Sequence, residues 1–261
     1  MKTVFFSSAL LAAALSVTPA AHAGVSISVG PHQSDATSGK ISPYWGLPNV
    51  FMETFDLPGG GCGLNGPPQS VAGGPWGIVK GSLQGAYAAP AGDSSCYAYA
   101  PVYQGQGMYA GSALPADAPV GALSAVDILY QPLIDSLPAG TQLNYVGLYY
   151  GSIDHYDKLE FYSGTTLVAT VSGTSILDAC GSCTPGDRTS DATNAFVNLY
   201  FTPDIAFNRL RFVTYGVAVE VDNVAVGFDV TPVPEPPAVV LAGAGLATLL
   251  WIARRRRSPR K

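Results

Sequence analysis

The sequence predicts an all-β domain, an antiparallel β-sandwich of jelly-roll type. Short segments rich in β-branched and aromatic residues recur through the middle of the chain, and Gly, Pro, Asn or Asp separates most of them. No long segment has helical periodicity, and no fixed-period repeat indicates a solenoid or a propeller. Short strands at this spacing favour two packed antiparallel sheets. The predicted strands are residues 50–57, 76–81, 142–151, 158–163, 166–172, 195–201, 208–215 and 217–230.

Turns and irregular segments complete this prediction. Ser163-Gly164-Thr165 separates two alternating segments and is typical of a hairpin turn. A helical turn is compatible with residues 124–134, where Pro132 limits its length. Residues 58–75 and 88–119 contain too much Gly and Pro for regular elements, so we expect surface loops there.

The first 23 residues have the pattern of a cleavable Sec-type signal peptide. Lys2 supplies the positive start, residues 4–17 are apolar apart from small hydroxyl residues, and Ala21-His22-Ala23 forms an A-x-A cleavage site before Gly24. The apolar segment is too short to favour an N-terminal membrane helix. The sequence therefore predicts export through the Sec translocon and cleavage by signal peptidase.

The body that would remain, residues 24–230, is long enough for one domain with a full core. It carries seventeen acidic residues against six basic ones, a formal charge of −11. Phosphate binding needs a basic surface, so a nucleic-acid partner is disfavoured. This acidic composition fits a soluble extracellular protein or a binder of divalent cations. The six basic residues are Lys40, Lys80, Lys158, Arg188, Arg209 and Arg211.

Residues 231–261 combine a proline-rich spacer, an uncharged segment and a basic end. The uncharged residues 238–253 predict a transmembrane helix. It would rise only about 24 Å, while a hydrocarbon core is about 30 Å thick, so it would be a marginal anchor. The cluster Arg254, Arg255, Arg256 and Arg257 should stay cytoplasmic, which leaves the body facing outward. An ordinary single-pass anchor is one interpretation of this tail.

The order of these three parts supports a more specific interpretation. The triplet Pro234, Glu235 and Pro236, followed by the apolar segment and the arginine cluster, resembles the PEP-CTERM sorting signal of exosortase-processed bacterial surface proteins. The resemblance implies that an integral-membrane exosortase recognises the tail, cuts near the triplet and releases the body. An inner-membrane precursor would then give a protein of the cell surface or the extracellular matrix.

Four cysteines lie in the body, an even number that favours full pairing in an oxidising compartment. Of the three connectivities, Cys62 to Cys96 with Cys180 to Cys183 closes the shortest loops, and it is the one that we predict. The C-x-x-C spacing of the second pair also occurs in redox motifs, but here it lies between strand-like segments. Zinc binding by four thiolates is a weaker interpretation because the first two cysteines are not closely spaced.

A second resemblance concerns residues 148–162. The segment Tyr150-Gly151-Ser152-Ile153-Asp154-His155-Tyr156-Asp157 is similar to a W-G-S-x-D-x-Y-N signature found between two strands in some exosortase-dependent surface proteins. This chain has Tyr150 in place of Trp and Asp157 in place of Asn. The resemblance extends loosely over residues 142–230 and implies a shared fold. Ser, Asp and His in this segment also match the residue types of a hydrolase triad, although a polar turn is the simpler interpretation.

Motifs for catalysis are otherwise missing, so we expect a protein that is not an enzyme. The sequence has no G-x-S-x-G elbow, no H-E-x-x-H helix and no phosphate-binding glycine loop. A pair of carboxylates suited to glycoside hydrolysis cannot be recognised from sequence. Three acids are candidate ligands for a structural calcium ion, because they lie near the two ends of the body and calcium prefers oxygen ligands. They are Glu53, Asp56 and Asp222. The sequence indicates no other cofactor. Ordinary solvated acids are the alternative.

These observations favour a structural or adhesive protein of the envelope or the exopolysaccharide matrix. A carbohydrate-binding module with a defined glycan is the first alternative, since Trp45, Trp76 and fourteen tyrosines could stack on sugar rings. Core packing accounts for those aromatic residues equally well. An extracellular hydrolase is the second alternative.

Overall fold

The computed structural model describes residues 24–73, 77–84, 87–100, 124–214 and 218–232. The predicted signal peptide and the sorting tail from residue 233 onward lie outside these ranges. In the described part, no helix is both long enough and apolar enough to cross a membrane. In chain order its elements are β1 (Val25–Val29), β2 (Gln33–Asp35), β3 (Gly39–Ile41), β4 (Val50–Glu53), β5 (Ser70–Gly73), β6 (Gly77–Val79), β7 (Tyr97–Ala100), β8 (Ser124–Leu129), α1 (Gln131–Ser136), β9 (Tyr145–Gly151), β10 (Asp157–Ser163), β11 (Thr166–Ser172), α2 (Gly173–Cys180), β12 (Ala195–Phe201), β13 (Arg209–Thr214) and β14 (Val219–Gly227).

Two antiparallel sheets form the body of the fold. The seven-stranded sheet has the order β1-β12-β9-β14-β7-β6, and β4 also pairs with β14. The five-stranded sheet has the order β11-β10-β13-β8-β5, while β2 and β3 form a separate hairpin. Each pairing between the described strands is antiparallel, which confirms the prediction of an all-β antiparallel fold.

The two sheets share one apolar core, and we call the faces that meet there the inner faces. Val146 and Leu148 of the seven-stranded sheet belong to the same buried cluster as Leu159 of the five-stranded sheet. Three phenylalanine rings pack in this cluster with centroids 4.6 to 5.2 Å apart. Burial of each such side chain contributes about 1.5–3 kcal/mol, so this core is the main source of stability. The three rings are those of Phe161, Phe201 and Phe207.

The outer face of the seven-stranded sheet is also covered. Residues at alternate positions of a strand point to opposite faces, and Tyr145 and Tyr200 lie on the outer one. Tyr44 packs edge-on against both rings, with centroids 5.1 and 6.2 Å away. The hydroxyls of Tyr44 and Tyr200 lie 2.8 Å apart. Ile41 and Val50 belong to the same small cluster, so the chain from β3 to β4 packs on this face.

The helical turn considered within residues 124–134 is wrong for its first part. Ser124–Leu129 is β8, which pairs with both β13 and β5. Val126 and Ile128 are fully buried in the core, whereas Asp127 between them forms a two-point ion pair with Arg211 at 2.7 and 2.9 Å. This alternation is typical of a strand. The helix comes later, in α1, where proline in the first turn removes an N–H that would have had no helical partner.

Other elements are absent from the sequence prediction. Helix α2 begins where the Ser172 side chain accepts a hydrogen bond from the Ser175 N–H and ends at Gly181, whose φ is 69°. Both features are ordinary helix caps. Strands β5 and β7 lie within the segments 58–75 and 88–119, for which only loops were expected.

Candidate functional site

A bulge in β14 places polar side chains in the middle of the seven-stranded sheet. The register between β14 and β9 shifts between Asp222 and Ala225, and Asn223 has a φ of 51°. At the same point the other edge of β14 changes its partner from β7 to β4. Bulges and left-handed non-glycine residues are frequent beside functional sites, so the bulge in β14 is the first candidate for a functional site.

Three carboxylates converge at the bulge from three parts of the chain. Asp56 follows β4, Asp93 precedes β7 and Asp222 lies in β14 itself. Asp222 and Asp93 share a hydrogen bond, and both interact electrostatically with Asp56. Burial, followed by the charge of Asp93, raises the pKa of Asp222 well above its usual range. Burial also raises the pKa of Asp93. Two ionised carboxylates in this position would repel each other, so the pair retains a proton more readily than exposed acids do.

Asn223 connects the bulge to the β2–β3 hairpin. Its side-chain amide donates to the carbonyls of Ser38 and Lys40 at 2.8 and 3.1 Å, and to Asp222 Oδ2 at 3.0 Å. Its backbone N–H donates to Asp222 Oδ1 at 2.6 Å. The left-handed residue therefore holds the hairpin against the outer face.

Glu53 does not join this cluster. On β4 it alternates with Met52, which packs on the outer face, so Glu53 points to the inner side, opposite to Asp222. Its carboxylate accepts hydrogen bonds from the backbone N–H groups of Phe55, Asn65 and Gly66 at 2.7 to 3.0 Å and from the side-chain amide of Gln69 at 2.6 Å. Glu53 thus organises the loop that follows β4.

The predicted calcium ligands are consequently divided between two places. The structure brings Asp56 and Asp222 near each other but sends Glu53 to the opposite face. Among the described residues, no three His, Cys, Asp or Glu side chains are arranged to hold a metal ion.

A second group of buried acids lies where β9 ends and β10 and β14 begin. Asp157 and Glu220 are 1% and 3% exposed, and Tyr150 is fully buried beside them. Thr214 and Tyr150 form hydrogen bonds with the Asp157 carboxyl group that lower its pKa, although these contacts lack full hydrogen-bond geometry. Desolvation, reinforced by neighbouring acids, raises the pKa of both carboxyl groups well above the usual range. The sequence does not reveal this pair because the two acids lie far apart along the chain, on β10 and β14, and a single acid on a strand usually faces solvent.

Residues 152–156 form the connection from β9 to β10. Ser152 has a φ of 48°, and its N–H donates to Asn194 Oδ1 at 3.2 Å. Asp154 accepts a hydrogen bond from the Tyr156 hydroxyl at 2.5 Å, whereas His155 lies 3.2 Å from the hydroxyl of Thr174. These separate partners give the segment the geometry of a polar turn, as the simpler interpretation of the sequence expects.

Disulfides hold two of the loops. Cys62 is bonded to Cys96, which confirms that prediction, and Cys180 is bonded to Cys183. Cys180 is the last residue of α2. A thiolate is stabilised at the start of a helix rather than at its end, so the second pair lacks the electrostatic setting of a redox motif.

Most of the tyrosines in the described part of the chain have buried side chains. Tyr97, Tyr130, Tyr145, Tyr149 and Tyr150 are all buried. An apolar gap between β7, β13 and β14 has no room for a water molecule, so it cannot hold a sugar ring. Trp45 is 45% exposed, whereas Trp76 lies outside the described residues.

No protein-family model, curated protein or solved structure matches the chain. The function therefore has to be argued from the residues and their geometry.

Proposed function

We propose that the chain is an exported, exosortase-sorted protein whose body is a structural or adhesive component of the cell surface or the exopolysaccharide matrix. The observation that carries this proposal is the order of Pro234-Glu235-Pro236, an uncharged segment and four arginines at the C-terminal end. Two disulfides among the described residues support it, because such bonds persist in oxidising compartments. The exosortase would act on an inner-membrane precursor.

The proposed fold type is a jelly roll. From β7 to β14 the chain contributes eight strands, which lie in the orders β7-β14-β9-β12 and β8-β13-β10-β11 within the two sheets. Numbered from one to eight, these orders are 1-8-3-6 and 2-7-4-5. Two interleaved Greek keys have this arrangement, and it supports the jelly-roll proposal. The remaining strands extend the sheets at their edges.

A structural role agrees with the contacts of the polar side chains in the body, which hold loops and strands in place. Glu53 holds a loop, Asn223 holds a hairpin, and Asp127 pairs with an arginine on the outer face of the five-stranded sheet. The buried acids Asp157 and Glu220 are enclosed rather than placed along a cleft. A glycoside hydrolase needs two carboxylates on either side of a substrate, so this enclosure argues against the hydrolase alternative.

The test is the C-terminal mass of protein released from the cell surface. We expect released protein to lack residues 238–261, because cleavage near the triplet removes the apolar segment and its basic end. Replacement of Glu235 by Ala should leave an uncut precursor in the inner membrane.

A matched control for this variant is Asp229→Ala, which removes an exposed acid just upstream of the tail. We expect the control to be processed normally. Surface-released protein with an intact Lys261 would contradict sorting by an exosortase.

A further inference from the structure

Strand β11 lies at one end of the five-stranded sheet. Among the described strands it pairs with β10 alone, and we call its side away from β10 the open edge. An edge strand directs the N–H and C=O groups of alternate residues away from its sheet, where another strand can bind them. Thr166, Leu167 and Thr170 are exposed, so solvent reaches β11 along much of its length. A further strand therefore has both room and hydrogen-bonding groups at the open edge.

Most of the features that usually protect an edge strand are missing from β11. Proteins block such edges with charged residues, with proline, with bulges or with very short strands. β11 is seven residues long, and its sequence TLVATVS contains neither a charge nor a proline. The described strands at the other three sheet ends are shorter, with five residues in β1, four in β5 and three in β6. Helix α2 follows β11 directly, but its residues Ile176 and Leu177 belong to the core, so α2 turns toward the interior.

One bulge limits regular pairing to the second half of β11. Phe161 of β10 pairs with Ala169 and Tyr162 pairs with Leu167, so Val168 lies opposite no residue of β10. A bulge bends its strand, and the open edge is therefore most regular beyond it, in residues 169–172. Val168 and Ala169 are partly buried against the core. A strand added at the open edge would cover apolar surface that these two side chains still expose.

The distribution of charge favours a second copy of the chain as the partner at this edge. Strands β11, β10 and β13 are neighbours in the sheet, and together they carry three basic and two acidic residues, a net charge of +1. The body as a whole has a formal charge of −11, so the rest of it carries −12. A large net charge normally keeps protein molecules apart. Two copies of this body therefore repel each other least where their β11 strands meet.

We propose that the open edge is an interface between two copies of this chain, whose β11 strands pair antiparallel about a two-fold axis at Thr170 and join their five-stranded sheets into one. Such an interface is isologous, so a single contact covers both open edges. Directly opposed residues of antiparallel strands point to the same face, which places the axis beside a residue rather than between two. At Thr170 the axis brings Ala169 opposite Val171 of the second copy. An axis at Val171 would instead bring Gly173, the first residue of α2, opposite Ala169.

Disulfide cross-linking of a Thr170→Cys variant of the full chain, purified in a mild detergent, tests this interface. The four native cysteines form two disulfides, so the introduced thiol is the only free one. In the proposed dimer the two introduced side chains are directly opposed, with Cβ atoms about 4.5–5.5 Å apart, which small shifts bring within reach of a disulfide. We expect a mild oxidant to give a covalent dimer that a reductant reverses.

Thr166→Cys is the matched control, because it places the same thiol at another exposed threonine of β11. Thr166 lies four residues from the axis, so its two copies would be about 26 Å apart and beyond the reach of a disulfide. We expect about tenfold or more covalent dimer from Thr170→Cys than from this control. Association through the uncharged residues 238–253 would cross-link both variants alike. Equal yields from the two variants would therefore overturn the proposal.

Sedimentation of a Thr170→Lys variant provides a second measurement that needs no cross-link. Thr170 is exposed, so the folded chain accommodates the lysine, but the dimer would place two like charges directly opposite each other. We expect this variant to be monomeric under conditions in which the unmodified chain and Thr166→Lys are dimeric. Absence of a dimer from both the unmodified chain and Thr170→Cys would overturn the proposal and would leave the open edge to a strand of a different protein. Undiminished dimer from Thr170→Lys would overturn it as well.

Discussion

Glu53 and Asp157 show how the surroundings of a carboxyl group decide its role. Glu53 is buried but accepts hydrogen bonds from three backbone N–H groups and one amide side chain. A hydrogen bond contributes about 0.5–1.5 kcal/mol, so these bonds make Glu53 a stabilising residue of its loop. Asp157 is equally buried, and burial raises its pKa by more than the hydrogen bonds from Thr214 and Tyr150 lower it. Ionisation of Asp157 therefore opposes folding. In a sequence, however, Asp and Glu look nearly equivalent, because both carry a carboxyl group.

Asp157→Asn should stabilise the fold, and more so at high pH than at low pH. Burial raises the pKa of Asp157 well above its usual range, so the folded state binds more protons than the unfolded state. The contribution of Asp157 to stability is thus full below pH about 4 and is lost as the pH rises through its raised pKa. Each unit of raised pKa corresponds to about 1.4 kcal/mol at most. Urea unfolding at pH 4 and pH 8 measures the difference.

The control for this experiment is Asp178→Asn, for which we expect less than about 0.5 kcal/mol of change at either pH. An Asp157→Asn variant that is less stable than the unmodified protein at pH 8 would show that the ionised carboxylate is compensated after all.

At the scale of elements, local patterns predicted some strands well and others not at all. β11 and β12 have the bounds that alternating apolar residues indicate, 166–172 and 195–201. β5 and β7 follow glycine- and proline-rich stretches, and they are strands because β8 and β14 offer them edges to pair with. The position of Glu53 relative to Asp222 depends on the register of β4, which no local pattern reveals. The sequence therefore predicted two acids of the candidate site, Asp56 and Asp222, but not Asp93, which lies in a segment where only a loop is expected.

The two disulfides should differ in their effect on stability. The bond from Cys62 to Cys96 spans 34 residues, and the chain-entropy model assigns a loop of that length about 3–4 kcal/mol. The bond from Cys180 to Cys183 spans 3 residues and corresponds to about 2 kcal/mol. Double replacement of each pair by serine, followed by urea unfolding, measures both. A larger loss for the second pair would contradict this order and would assign α2 a greater share of the stability.

At the scale of the whole molecule, the body is net acidic, and two of its basic side chains form close ion pairs with carboxylates. Arg211 binds Asp127, and Lys40 binds Asp191 at 2.9 Å. The body should therefore repel anionic polymers, and an adhesive role would favour a neutral glycan. Trp45 is the candidate contact, because it is 45% exposed on the turn between β3 and β4. A tryptophan face can stack on a sugar ring at little cost in conformational entropy.

Protein released from the cell surface should migrate more slowly in native gels that contain a neutral exopolysaccharide, and it should migrate unchanged in gels with an anionic one. Trp45→Ala should weaken this retardation about fivefold or more, since loss of about 1 kcal/mol of stacking changes an affinity by that factor. Leu167→Ala, which removes another exposed apolar side chain, should have no effect because an alkyl group lacks the aromatic face that sugars need. If the Trp45→Ala variant is retarded as strongly as the unmodified protein, the glycan contact lies elsewhere on the surface. Reproducible turnover of the polysaccharide would contradict the proposal that the body is not an enzyme. Glu220→Gln and Asp157→Asn would then be the first variants to assay. They neutralise the two most enclosed carboxyl groups at the β9–β10 end of the fold.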